Sequence, residues 1–144
     1  MYNEFLLLHN TLRWFLLISL VITLVKYVAG WIGNKPWSKI DNLLGVVFTS
    51  LMDIQLLLGL SLYFFLSPLT KIALADFGAA MKDNNLRFYA VEHFSIMLVA
   101  VVMVHIGRAK SKKAKTDIGK FRIVSIFFII ALGLILGGIP WSRS

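Results

Sequence analysis

Four nearly unbroken apolar runs divide the chain, at residues 6–25, 43–66, 88–107 and 123–141. Each is close to the 20 residues or so that a helix needs to cross a bilayer, and each is bounded by charge, aromatic residues or proline. Hydrocarbon offers no water to bond a stray peptide group, so each run is predicted to satisfy its backbone internally, as a helix. No internal repeat, low-complexity tract or long linker separates the runs. The pattern therefore predicts one all-α domain over residues 1–144, an integral membrane four-helix bundle.

Composition agrees with this pattern. At 58% hydrophobic residues, the 144-residue chain carries more apolar surface than a soluble domain of that length can bury. The N-terminal stretch "MYNEFLLLHNTLRW" has no basic segment ahead of its apolar run and carries Glu4, so it reads as a retained first span and not as a signal peptide. The absence of cysteine excludes disulfides, iron–sulfur clusters and thiolate metal sites. A net charge of +8 points to nucleic acid in a soluble protein, but here the cations sit between apolar runs and are read as topology signals. Lys26, Lys35 and Lys39 follow the first run, and seven more lysines and arginines between Arg108 and Arg122 follow the third; only Lys71, Lys82, Arg87 and Arg143 lie on the opposite side. By the positive-inside rule the basic side is cytoplasmic and both termini face outward.

Three segments have a second reading. The run "GRAKSKKAKTDIGKFR" is a topology determinant, with anionic headgroups or an acidic partner as its alternative role. In the outer connection at residues 67–87, Ile72, Leu74, Phe77 and Met81 are spaced to line one side of a short interfacial helix. Gly133 and Gly137, with Gly138 beside them, allow close helix approach, either within the bundle or at a subunit interface.

The candidate chemistry lies in the ionisable residues inside the runs, where each costs roughly 2.5 kcal/mol or more. With a rise of about 1.5 Å per residue, His9 lies roughly 5 Å and Arg13 roughly 10 Å below the outer edge, on one face of the first helix. Glu92 and His93 lie roughly 6 to 8 Å below the same edge on the third. His9 and His93 thus share a level on two helices. Asp53, near mid-span on the second helix, and Glu92 both compete for Arg13, with Gln55 close by, so these residues are expected to form one polar network in the outer half. That network serves either a site or the stapling of helices. His105, twelve residues after His93, is rotated about 120° from it and placed roughly 3 Å from the cytoplasmic edge, with an interfacial or core-bonded role.

A haem b needs two axial nitrogens, an apolar slot for the macrocycle and cations for its propionates. His9 and His93 are the candidate iron ligands, Arg13 or Arg87 the candidate cations, and Asp53, Gln55 and Glu92 the polar shell. A zinc or copper site suits the chain less well, because adjacent Glu92 and His93 point about 100° apart on a helix. A proton path through Asp53, Glu92 and His93 lacks carriers on the cytoplasmic half. No P-loop, nucleophile elbow, HExxH or Rossmann glycine pattern is present, which excludes the nucleotide-dependent and hydrolytic classes they mark.

The segments "HNTLRW" at 9–14, "DIQLLLGLSLYFFLSP" at 53–68, "LRFYAVEH" at 86–93, "IGRAKSKKAKT" at 106–116 and "IPW" at 139–141 resemble a group of small bacterial four-span membrane proteins that carry the label "cytochrome b". The resemblance implies a bacterial inner-membrane protein with haem bound by His9 and His93. It departs from respiratory cytochrome b, whose two stacked haems need paired histidines along two helices; three histidines allow at most one such site here. The expectation is therefore one haem b per chain, exchanging electrons with a quinone or a partner subunit. The alternative is a non-catalytic accessory or scaffold subunit, in which the buried charges lock helices together and a lipid-side face docks a larger complex or a second copy. The lipid bilayer is a partner in either case, and nucleic acid in neither.

Overall fold

In the computed structural model, which describes residues 2–66, 71, 72 and 75–139, every regular element is helical and no strand occurs among the described residues. The order is α1 (Tyr2–Ile32), α2 (Lys39–Ser61) continued by a wide π-helical turn (Leu62–Leu66), two short helices α3 (Phe77–Ala80) and α4 (Asn84–Arg87), a second π-helical turn (Phe88–Glu92) that runs directly into α5 (His93–Lys112), and α6 (Asp117–Gly138). Four helices, spanning Tyr2–Ile32, Lys39–Phe65, His93–Lys112 and Asp117–Gly138, are long and apolar enough to cross a membrane. This is the make-up of a multi-pass membrane protein.

The helices outrun the apolar runs at the end rich in lysine. α1 continues to Ile32, α5 to Lys112, and α6 begins at Asp117, six residues ahead of the expected start. Charged residues are good helix formers, so hydropathy marks where a span ends and not where its helix ends. The caps mark the true ends. Thr116 accepts from the Gly119 amide at 3.1 Å to start α6, and Ser38 forms a reciprocal capping box with Asp41 at the start of α2.

Neighbouring helices are antiparallel: α1 packs on α2 and α6, and α5 packs on α6 and α2. These four contacts close a ring that leaves α1 and α5 on a diagonal. Leu16, Leu20 and Leu24 of α1, Phe48 and Met52 of α2, Val104 of α5 and Phe128 of α6 fill the centre. At the lysine-rich end, called here the basic end, Tyr27, Trp37 and Phe121 form an aromatic plug, with Trp37 4.9 Å from Phe121 and 5.3 Å from Tyr27 between ring centres. The opposite faces are equally apolar: Leu7, Phe15, Ile18, Val21 and Val25 of α1 and Ile126, Ile129 and Ile130 of α6 are exposed. A helix that is apolar on every side belongs in a nonpolar surrounding.

Glycines set the helix spacing. A Cβ on Gly107 of α5 would collide with the Phe127 side chain of α6, and a Cβ on Gly138 would lie 2.9 Å from Ile96 Cγ2 of α5. Gly133 and Gly137, by contrast, meet nothing within 4 Å and face away from the chain. Of the expected interfacial segment, Ile72, Phe77 and Met81 are exposed. Leu74 and the end of the fourth run with Trp141 lie outside the described residues.

One ionic cluster anchors the basic end. The fully buried Asp41 carboxylate accepts from Lys26 Nζ at 2.7 Å and from the Ser38 amide and hydroxyl at 2.9 Å each. The Tyr27 hydroxyl donates to the Asp41 carbonyl at 2.7 Å. Asp41→Ala removes a cap and strands the half-exposed Lys26, and is expected to lower stability by about 2 kcal/mol in thermal unfolding in detergent. Asp41→Asn, which can still cap, should lose roughly half of that. Equal melting of Asp41→Ala and the parent protein would refute this role.

Candidate functional site

At the end of the bundle away from the lysines, α1 and α5 each bring one histidine to the centre. The His9 and His93 ring centres lie 6.4 Å apart with planes crossing at 78°. An ion held between two imidazole nitrogens at about 2.0–2.1 Å from each separates the ring centres by roughly 6 Å. The two expected ligands therefore come together across the diagonal of the ring of helices, at a ring separation compatible with one ion between them.

His93 is oriented by a bond that hydropathy does not reveal. Its Nδ1 lies 2.7 Å from the Gly138 carbonyl oxygen. A carbonyl only accepts, so Nδ1 carries the proton and the neutral ring keeps its lone pair on Nε2. Gly138 is the last residue of α6, where carbonyls lack intrahelical partners, and its missing side chain lets the helix end approach α5. The π-helical turn at Phe88–Glu92 ends immediately before His93, and such turns often mark functional sites. Phe88, itself buried, lies beside the His93 ring with centres 5.6 Å apart. Across from it Tyr63 stacks on Phe94 at 4.5 Å, joining the π-helical turn of α2 to α5.

His9 is held by α2. Gln55 Nε2 donates to the His9 carbonyl at 2.8 Å. Gly59 leaves the ring room, since a Cβ there would already sit 3.4 Å from His9 Cε1. His9 Nδ1, Gln55 Oε1 and Arg13 Nε are three of the five buried side-chain polar atoms without a hydrogen-bond partner among the described residues. Native proteins rarely leave such atoms unpaired, and their grouping around His9 marks a site with unmet polar capacity. Arg13 has no carboxylate partner among the described residues, and its guanidinium lies 5.1 Å from the Trp14 ring centre.

The expected network of Arg13 with Asp53 and Glu92 is not what the structure assembles. Glu92 pairs with Arg87, Nε to Oε1 at 2.7 Å, and Arg87 also bonds Asn84 at 3.1 Å, so this pair braces the segment leading into α5. Arg87 is thereby committed, while Arg13 has no ion-pair partner among the described residues. Asp53 bonds His105 Nε2 at 2.7 Å, linking α2 to α5. Both side chains are about half exposed, at 50% and 49%, on the outside of the bundle. His105 lies seven residues before the end of α5 at Lys112, because the helix continues past the apolar run. Arg108, one turn further on, donates to Thr49 Oγ1 at 3.1 Å. Among the described residues no three His, Asp or Glu side chains gather around one point. Two histidines suit the axial positions of haem iron better than tetrahedral zinc.

No family model, curated protein or solved structure matches the chain.

Proposed function

We propose that the chain is a four-span protein of the bacterial inner membrane that binds one haem b through His9 and His93 and passes electrons to or from a quinone or a partner subunit. The observation that carries this reading is the His9–His93 pair, 6.4 Å between ring centres, with the His93 tautomer set by the Gly138 carbonyl. The exposed apolar faces support a lipid surrounding for the helices, and the excess of lysine and arginine at one end supports a cytoplasmic side there, with both termini outside.

Bound haem supplies a one-electron couple whose potential answers to its axial ligands and to the polarity around it. The chain's own residues do the rest. The Gly138 carbonyl fixes the tautomer and orientation of the His93 ring. Gln55 ties His9 to α2, and Arg13, one turn from His9 and without a carboxylate partner among the described residues, is available to a propionate. Leu62 and Phe88, both buried, keep this end apolar.

The test is a reduced-minus-oxidised visible spectrum of protein purified in mild detergent from a haem-supplied host, with a pyridine haemochrome assay. The expected result is a sharp b-type α-band at about one haem per chain. A featureless spectrum from folded protein rejects the proposal.

A rival reading, an accessory or scaffold subunit, is favoured by the Asp53–His105 pair. Half-exposed polar side chains on an apolar helix surface are tolerable where another protein covers them. A colourless protein that co-migrates with a specific membrane partner would establish this reading instead.

A further inference from the structure

The basic end of the bundle contains a small recess lined by Tyr27, Trp37, Asn42, Arg108, Ser111, Lys112, Lys120 and Val124. All four long helices and the connection holding Trp37 reach it. We propose that this recess binds a phosphate group, supplied by the headgroup of an acidic phospholipid in the adjoining leaflet.

Three observations converge. First, Arg108, Lys112 and Lys120 bring three cations to one opening and no carboxylate lines it. Asp41, next to the lining residue Asn42 in the chain, is fully buried and saturated by Lys26 and Ser38. Second, Arg108 has no carboxylate partner among the described residues, where it donates to the Thr49 hydroxyl. A guanidinium carries five donors in a fork that matches phosphate oxygens, so most of its capacity is unspent. It stands where α2 and α5 meet, against Gly45, whose missing side chain makes the space: a Cβ there would lie 3.0 Å from Arg108 Nε. Third, the rim is built for an interface. Trp37, tilted against Tyr27 and Phe121 in the aromatic plug, lines the recess together with two lysines, and tryptophan and lysine are the residues that sit at headgroup level. Basic pockets between helices on the cytoplasmic side bind anionic headgroups by this chemistry. Lys120 is already tied to the end of α5, Nζ to the Lys112 carbonyl at 3.1 Å, which holds two of the cations in register.

The proposal takes the bundle to cross a membrane and stands whether or not haem binds. It is tested on the full chain in an uncharged detergent by native mass spectrometry and thermal unfolding, with phosphatidylglycerol, phosphatidylcholine and inorganic phosphate as probes. Phosphatidylglycerol is expected to bind at one site per chain, about tenfold or more tighter than phosphatidylcholine. Because Arg108 is packed in the bundle and its replacement risks misfolding, the decisive variant is Lys112→Gln with Lys120→Gln. It should weaken phosphatidylglycerol about tenfold, while Lys113→Gln with Lys115→Gln, outside the recess, changes it by less than about twofold. Equal binding of the two lipids, or equal losses in the two double variants, overturns the proposal in favour of diffuse surface charge. Competition and equal stabilisation by millimolar inorganic phosphate overturns the lipid source and assigns the site to free phosphate.

Discussion

Replacing either His9 or His93 by alanine is expected to abolish stoichiometric haem binding, from about one haem per chain to a few per cent, while His105→Ala retains it. The reason is geometric. The two rings stand 6.4 Å apart across the bundle diagonal, and no third histidine can replace either, because His105 is bonded to Asp53 on the outside of α2 and α5. The two losses should differ in kind. His93→Ala also strands the Gly138 carbonyl, a buried acceptor at a helix end, and so should lower the stability of the haem-free protein by about 1–3 kcal/mol. His9→Ala leaves an already unpartnered nitrogen absent and should cost the haem-free protein less. Imidazole added to His9→Ala should restore part of the haem spectrum by filling the space beside Gly59. Haemochrome stoichiometry and melting of the apo proteins check each statement; full haem content in both alanine variants would sink the ligand assignment.

The histidine pair also illustrates what a sequence can say about a membrane bundle. Depth follows from counting at about 1.5 Å per residue, so the shared level of His9 and His93 was legible. Facing direction across helices was not, since it depends on which helices are neighbours and how each is rotated. The ring of α1, α2, α5 and α6 decides that. The pairing of acids was misjudged for a related reason. Arg13, Asp53 and Glu92 look like a compact set when only depth is compared, yet Asp53 points to α5 and Glu92 turns back to Arg87 within its own segment. The two π-helical turns leave no hydropathy signature at all, and one of them delivers His93.

Among the glycines, the sequence drew notice to Gly133 and Gly137 by their spacing, but these face outward; Gly138 is the one that shapes the histidine site. Gly138→Val is expected to weaken haem binding by about 10- to 100-fold, the usual effect of removing a hydrogen bond that orients a metal-bound histidine. A Cβ at this position lies 2.9 Å from Ile96 Cγ2 and 3.0 Å from Met97 Cε. The methionine methyl can swing aside, but the branched isoleucine carbon cannot, so the end of α6 must move off α5. The carbonyl then leaves His93 Nδ1, the ring loses its fixed tautomer, and its Nε2 becomes a poorer donor to iron. A weaker donor stabilises ferric iron less, so any remaining haem should titrate at a higher midpoint potential than in the parent protein. Gly138→Ala should show the same two changes at smaller size, and adding Ile96→Ala to it should recover affinity by clearing the space. Gly133→Val and Gly137→Val, which meet no neighbour, serve as controls and should leave haem affinity and potential unchanged. Haem titration and spectroelectrochemistry on this set separate the hydrogen bond from general loosening of the bundle: loosening alone lowers melting temperature without moving the potential. Parental affinity in Gly138→Val would mean that the α6 carbonyl does not position the ligand.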